Sequence, residues 1–214
     1  MNRLPSIVRQ HLAALRGLLL FTVLTGILYP LVMFGVAQGA FHNQANGSLV
    51  SYKGRVVGSS LLCQEFVNAK GAPLVQYFQP RPSNAVNPEV KTDYGCDPGF
   101  SAASNLGPNN PTLVQLIRQR QKAYAALNHV KVSSIPPDAV TASGSGLDPD
   151  ISPQNAYLQV NRVAAARHAS PAAVRALVSR FVQGRTLGFL GEPRVDVLTL
   201  NIVLDQQFPL PAGH

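Results

Sequence analysis

The sequence predicts an α+β protein: one N-terminal transmembrane helix, then a single external domain combining a small sheet with helices. Three observations carry this. Gly17 to Phe41 is a run of 25 residues without a charge. Three amphipathic segments, each opened by a proline, follow further along. Two β-branched, apolar runs lie outside them. The 214 residues suffice for one domain plus an appendage. Only 13% are charged against 46% hydrophobic, which excludes a disordered chain. The 17 Gly and 17 Pro lack the period of collagen.

As a helix, GLLLFTVLTGILYPLVMFGVAQGAF rises about 1.5 Å per residue and exceeds the ~30 Å hydrocarbon core. Pro30 falls mid-span, where it weakens or kinks a helix unless neighbours satisfy the freed carbonyl. Gly35 and Gly39 have G-x-x-x-G spacing, which permits close helix approach but arises as readily by chance. An uncleaved anchor is favoured over a signal peptide. The apolar stretch exceeds the usual ~7–15 residues, and Ala37 and Ala40 have the wrong spacing for an A-x-A site. Arg3, Arg9 and Arg16 precede the span, and the next cation is Lys53. The positive-inside rule then places 1–16 in the cytoplasm, 17–41 in the membrane and 42–214 outside, in the periplasm for a bacterial inner membrane. The formal charge is +8, of which those three arginines supply a concentrated part. The rest is spread thinly, without Lys/Arg runs or interleaved aromatics, so nucleic acid is not an expected partner.

Residues 42–60 are rich in Gly, Asn and Ser, with turn signals at Asn46-Gly47 and Lys53-Gly54. Arg55 to Phe66 reads as a strand. Residues 67–111 are dominated by Pro, Gly, Asn and Ser. That is long for a structureless loop in a compact domain and is the expected binding surface. Asn110-Pro111 opens a helix over 111–128, Ser152-Pro153 one over 153–167, and Ser170-Pro171 one over 171–183. In the last two, serine caps free N–H groups and proline suits the first helical position. Only His168-Ala169 separates those two, which predicts a helical hairpin, and Gly184 is the expected stop. Arg194 to Leu204, β-branched and apolar on both faces, reads as a buried strand. Cys63 and Cys96 both fall in the external part, where a disulfide persists. Joined, they would close a loop of about 30 residues, worth about 3 kcal/mol. Two unpaired thiols fit the sequence equally well.

Catalytic machinery is sparse. There is no P-loop and no G-x-G-x-x-G after a strand. Ser143-Gly144-Ser145-Gly146 lacks the G-x-S-x-G spacing and reads as a turn. His11, His42, His129, His168 and His214 never reach the i, i+4 spacing of a helical metal pair. His168 instead suits the end of a helix. Asp148-Pro149-Asp150 has too few oxygens for a calcium loop and suits a turn before a helix. Glu65, Glu89, Asp93 and Asp97 are too scattered for an acid/base pair. No catalytic or metal residue is assigned.

Short motifs in order along the chain are more specific. They are Thr25-Gly26 with Tyr29-Pro30, Gln44 to Leu49, Gly58-Ser59, Tyr77-Phe78 with Arg81-Pro82-Ser83, and Ser104 to Pro108. Thr141 to Ser143, Ser145 to Asp148, Ile151 to Pro153, Gly184 to Pro193 and Asn201 follow. Together they resemble the C subunit family of the Kdp-type potassium-transporting ATPase of bacteria and archaea. The resemblance implies a non-catalytic accessory subunit of an ATP-driven potassium uptake complex. Its implied partners are a channel-like potassium-binding subunit, a P-type ATP-hydrolysing subunit and the bilayer. The family is described as a catalytic chaperone that raises ATP affinity in the hydrolysing subunit, so ATP is the one cofactor the description allows. Ala169 to Ala173 lacks both the leucine and the glutamine of the Leu-Ser-x-x-Gln stretch likened to ABC-type ATPases. No ATP-contacting residue is therefore named. Gly26, Tyr29, Pro30, Arg81, Pro82, Asn105 and Gly107 are the candidate partner-binding residues. The alternatives are a membrane-anchored nucleotide-binding protein and an envelope hydrolase.

Overall fold

The structure is a computed structural model, and it describes residues 5–91 and 94–210. Arg3, Asp93 and His214, named above, lie outside the described residues. The chain divides into two compact units, Met1–Ser48 and Leu49–His214.

The first unit is dominated by one helical stretch, Ser6–Ala40, the only one among the described residues long and apolar enough to cross a membrane. It consists of α1 (Ser6–Val23), a π-helical turn (Leu24–Leu28) and α2 (Tyr29–Ala40), and none of its residues is buried. At 1.5 Å per residue its 35 residues measure about 52 Å. The disturbance expected from Pro30 takes the form of the π turn. In an unbroken α-helix the Pro30 ring would press on the Gly26 carbonyl and leave it without a donor. The wide turn moves the pairing by one residue, and Tyr29 N–H bonds Leu24 O. Thr25 Oγ1 donates to the Phe21 carbonyl at 2.6 Å, tying its hydroxyl into the same ladder. A short α3 (His42–Ala45) follows, and the chain turns at Gly47, φ +86°.

The second unit opens with a hairpin, β1 (Leu49–Tyr52) against β2 (Arg55–Ser59). Its connection is Lys53-Gly54, with φ of 50° and 76°, the positive pair that a two-residue hairpin turn requires. The strand ends at Ser59 rather than reaching Phe66, because Ser59 Oγ accepts from Leu61 N–H and the chain turns away. The described residues form two small sheets, not one. The second pairs β3 (Asp150–Ile151) with β4 (Val195–Asp196).

Helices supply the core. α4 (Pro111–Asn128), α5 (Pro153–Ala166) and α6 (Pro171–Phe181) start where Asn110, Ser152 and Ser170 accept hydrogen bonds from the N–H groups of Thr112, Asn155 and Ala173. α5 and α6 pack as a hairpin. α6 ends at Phe181, short of Gly184, because Gln183 enters a bridge with Arg194. α4 and α5 are closed by His129 and His168, with φ of 54° and 53° in the region where glycine is usual. At His168 the backbone makes the cap: its N–H bonds Ala165 O, and Ala169 N–H reaches Ala164 O.

The run at 194–204 is the main correction. Only Val195 and Asp196 are strand; α7 spans Val197–Gln207. Asp196 caps it, accepting from Thr199 N–H at 2.6 Å. Val197, Leu200, Asn201 and Leu204, at i, i+3, i+4 and i+7, are all at most 2% exposed. Their apolar members join Val160, Val163, Val174, Leu177, Val178 and Phe78 in one core. Burial along a helical stripe overrides the β preference of the branched residues.

Candidate functional site

Among the described residues between 60 and 110 there is no helix or paired strand beyond one isolated bridge, Val67 to Pro73. Yet Phe78 and Ala85 are fully buried. Buried backbone polar groups need partners, and here polar side chains from the helices provide many of them. Gln79 N–H donates to Gln159 Oε1 (2.7 Å) while Gln159 Nε2 donates to Gln79 O (3.1 Å). The buried Arg162 guanidinium donates to the carbonyls of Val75 and Tyr77, to Asn128 Oδ1 (2.8 Å) and to Gln159 Oε1 (2.7 Å). Burial draws its pKa down to about 10. Arg167 holds Gln76 O and Phe208 O (2.8 Å each), pairs with Asp205 at 2.7 Å and stacks over the Tyr77 ring.

In the sequence Arg162 and Arg167 fall among thinly spread charges, and neither is singled out. The signal for Arg162 was a polar stripe, Asn155, Gln159 and Arg162 at i, i+4, i+7, beside the apolar face of α5.

Two further ties fix the segment. Cys63 and Cys96 form a disulfide, with Cα atoms 5.5 Å apart. The Ser143 to Gly146 run is the turn expected. A Cβ at Gly146 would stand 2.5 Å from Ala102 O and 2.8 Å from Ala85 N, while Ser83 Oγ donates to Gly146 O.

The candidate partner-binding residues separate into three places. Gly26, Tyr29 and Pro30 are exposed around the π turn. A Cβ on Gly26 would meet only Thr22 Cγ2, at 4.0 Å. Arg81 is a strut, its Nη1 2.7 Å from Asp148 Oδ2. With Pro82 it lines a groove of about 480 Å³ that also includes Pro73, Pro80, Arg120, Tyr124 and Leu127. Asn105 (φ 50°) and Gly107 are exposed and do not line that groove.

Asp148-Pro149-Asp150 shapes a turn, as expected, with Asp148 Oδ1 accepting from Asp150 N–H at 3.0 Å. Asp150 stands opposite Asp196 in the β3–β4 pair and 3.1 Å from Arg194. Burial first, then the Asp196 charge, raises Asp150 to about 6 against the pull of Arg194. Burial also raises Asp196, against its hydrogen bonds from Thr199. Among the described residues no three His, Cys, Asp or Glu gather as a metal site. Ser170, within the stretch from Ala169 to Ala173, is occupied as a helix cap. The arrangement suits binding and bracing.

The family model for the K+-transporting ATPase c chain, KdpC, matches residues 11–206. The potassium-transporting ATPase KdpC subunit of Streptomyces avermitilis is 46% identical over 96% of this chain and 97% of its own length. That of Mycobacterium tuberculosis strain H37Rv is 47% identical over 92% of this chain and 98% of its own. That of Beijerinckia indica is 45% identical over 94% and 96%. With nearly full-length likeness on both sides, the chain belongs to the KdpC family, the c chain of the potassium-transporting ATPase.

Proposed function

We propose that the chain is the non-hydrolysing accessory subunit of an ATP-driven potassium uptake complex, needed for its assembly. The observation that carries this is a 35-residue helix, uncharged from Gly17 onward and without one buried residue, in a chain of the c-chain family. Leaving that much apolar surface unpartnered makes sense only in lipid or against other helices.

In this reading residues 1–16 are cytoplasmic, 17–41 cross the inner membrane and 42–214 form the periplasmic domain. The span lies beside helices of the channel-like potassium-binding subunit and the P-type ATP-hydrolysing subunit, with Gly26, Tyr29 and Pro30 as its contact face. Outside, Asn105, Gly107 and the Arg81–Pro82 rim brace the entrance for the ion. A net basic domain does not concentrate a cation, so bracing is favoured over potassium collection. A periplasmic domain cannot touch cytoplasmic nucleotide. The chaperone effect on ATP affinity therefore acts as coupling, through span contacts that differ between two states of the complex.

The test is purification through a C-terminal tag in mild detergent, with mass analysis of what accompanies the chain. Recovery of the potassium-binding and ATP-hydrolysing subunits is expected. Recovery of the chain alone, in cells that express those subunits, overturns the reading.

A further inference from the structure

The run Gly184 to Pro193 is not absorbed by the core. Between α6 and β4 it forms a closed, self-braced turn. Thr186 and Leu190 exchange both backbone hydrogen bonds, at 2.9 Å each, and Gly188 N–H bonds Arg185 O at 3.0 Å. Leu187 and Gly188, with φ of 55° and 82°, make the tip. At the neck, Gln183 and Arg194 exchange backbone bonds at 2.8 and 3.0 Å, and Arg185 Nη2 donates to both Glu192 oxygens, at 2.7 and 3.0 Å.

This stalk presents Leu187 79% exposed, Phe189 69% and Leu190 49%. With ordinary side-chain areas that is on the order of 400 Å² of apolar surface within four residues. It equals the largest patch of a typical monomer and is about half of one partner's share of a standard interface. A leucine held at positive φ to point outward is a conformation that the surrounding structure must enforce.

The chemistry of the collar selects the occupant. A tip that enters lipid pairs its apolar residues with free cations for the headgroup phosphates. Here Arg185 is held by Glu192, and Arg194 is held by Asp150 at 3.1 Å. The tip closes on itself through the Thr186–Leu190 and Gly188–Arg185 bonds, so it offers no extended edge for an added strand. What remains is a preformed apolar knob on a neutralised collar, the form of an anchor that fills a pocket.

We propose that the knob Leu187–Leu190 inserts into an apolar recess on an integral-membrane subunit of the same potassium-transporting ATPase. This rests on the accessory-subunit reading above. The test uses the full chain in the intact complex, with a photoreactive benzoyl-phenylalanine in place of Phe189, which retains the aromatic ring. Irradiation is expected to yield a covalent adduct with another subunit. The double variant L187S/F189S is expected to lower recovery of the other subunits at least tenfold at an unchanged melting temperature, since neither side chain is in the core. No adduct, adducts only with lipid or a second copy of this chain, or full recovery by the double variant overturns the proposal. If the wild-type chain co-purifies in those cases, the accessory-subunit reading stands. If the wild-type chain purifies alone, that reading falls and the proposal with it.

Discussion

Asn201 and Phe78 form a closed ring of two hydrogen bonds: Phe78 N–H donates to Asn201 Oδ1 and Asn201 Nδ2 donates to Phe78 O, each at 2.9 Å. A side chain on α7 thus takes the place of a strand partner for a residue 0% exposed. Asn201→Leu strips both bonds while keeping the branched side-chain shape. Two buried backbone groups without partners cost about 1–3 kcal/mol each. Denaturant unfolding of the purified chain is expected to show a loss of about 2–5 kcal/mol. Asn201→Asp keeps the acceptor but sets a buried carboxylate against the Phe78 carbonyl, and at neutral pH is expected to cost at least as much, with partial recovery at low pH as the carboxyl regains a proton to donate.

The Cys63–Cys96 bond spans 33 positions of a segment with almost no regular backbone pairing. Loops of this length gain about 3–4 kcal/mol from closure in the chain-entropy picture. Reduction, or the double variant C63S/C96S, is expected to lower the melting temperature by several degrees. An unchanged temperature in thermal scans with and without reductant would show that the helix side chains alone hold the segment.

Asp150 sets a pH dependence. Its folded pKa of about 6 lies above the usual 3.8, mainly through burial and then through Asp196. The folded state therefore holds a proton that the unfolded state releases, and stability falls as pH rises from about 4 to 6 and is flat above. Between pH 7.5 and 5 the fold is expected to gain about 1 kcal/mol, roughly 2–4 °C in melting temperature. Asp196, also raised, acts in the same direction. Asp150→Asn is expected to flatten the profile and to melt higher at pH 7.5, because Arg194 is exposed enough to be solvated without its partner.

Within the span, a Cβ added at Gly26 or at Gly35 meets nothing closer than 4.0 Å. Neither Gly26→Leu nor Gly35→Leu should disturb the helix itself. Loss of co-purifying subunits in Gly26→Leu alone is the expected outcome. Loss in Gly35→Leu alone would move the contact face to the G-x-x-x-G pair.

The helix starts were legible because Asn110-Pro111, Ser152-Pro153 and Ser170-Pro171 combine a side-chain acceptor with a residue that needs no donor. The ends of α4 and α5 fall within a residue of the expected 128 and 167, although histidines stand there in place of glycine, while α6 stops at Phe181, two residues before the expected 183. α7 was misread since Val195 to Leu204 is apolar on every side, which erases periodicity. Its one clear sign was Asp196 three residues before Thr199, and Asn201 amid aliphatics. The role of 67–111 as a packed segment was hidden because many of the groups that pair with it, Gln159, Arg162, Arg167 and Asn201 among them, lie 80 or more positions away. Arg81 looked like a surface contact and is largely spent on Asp148. Asn105 and Gly107 remain available.

That separation has a temporal consequence. Residues 60–110 leave the ribosome long before Gln159, Arg162, Arg167 and Asn201, the side chains that complete their backbone bonding. An early fragment can bring Cys63 and Cys96 together, yet it has nothing to hold Phe78 in place. Commitment to the native state waits for the last helix to be synthesised. A chain truncated before Asn201 would lack the partner of Phe78 and leave this part of the proline-rich stretch open to quality-control proteases, which favours survival of complete subunits.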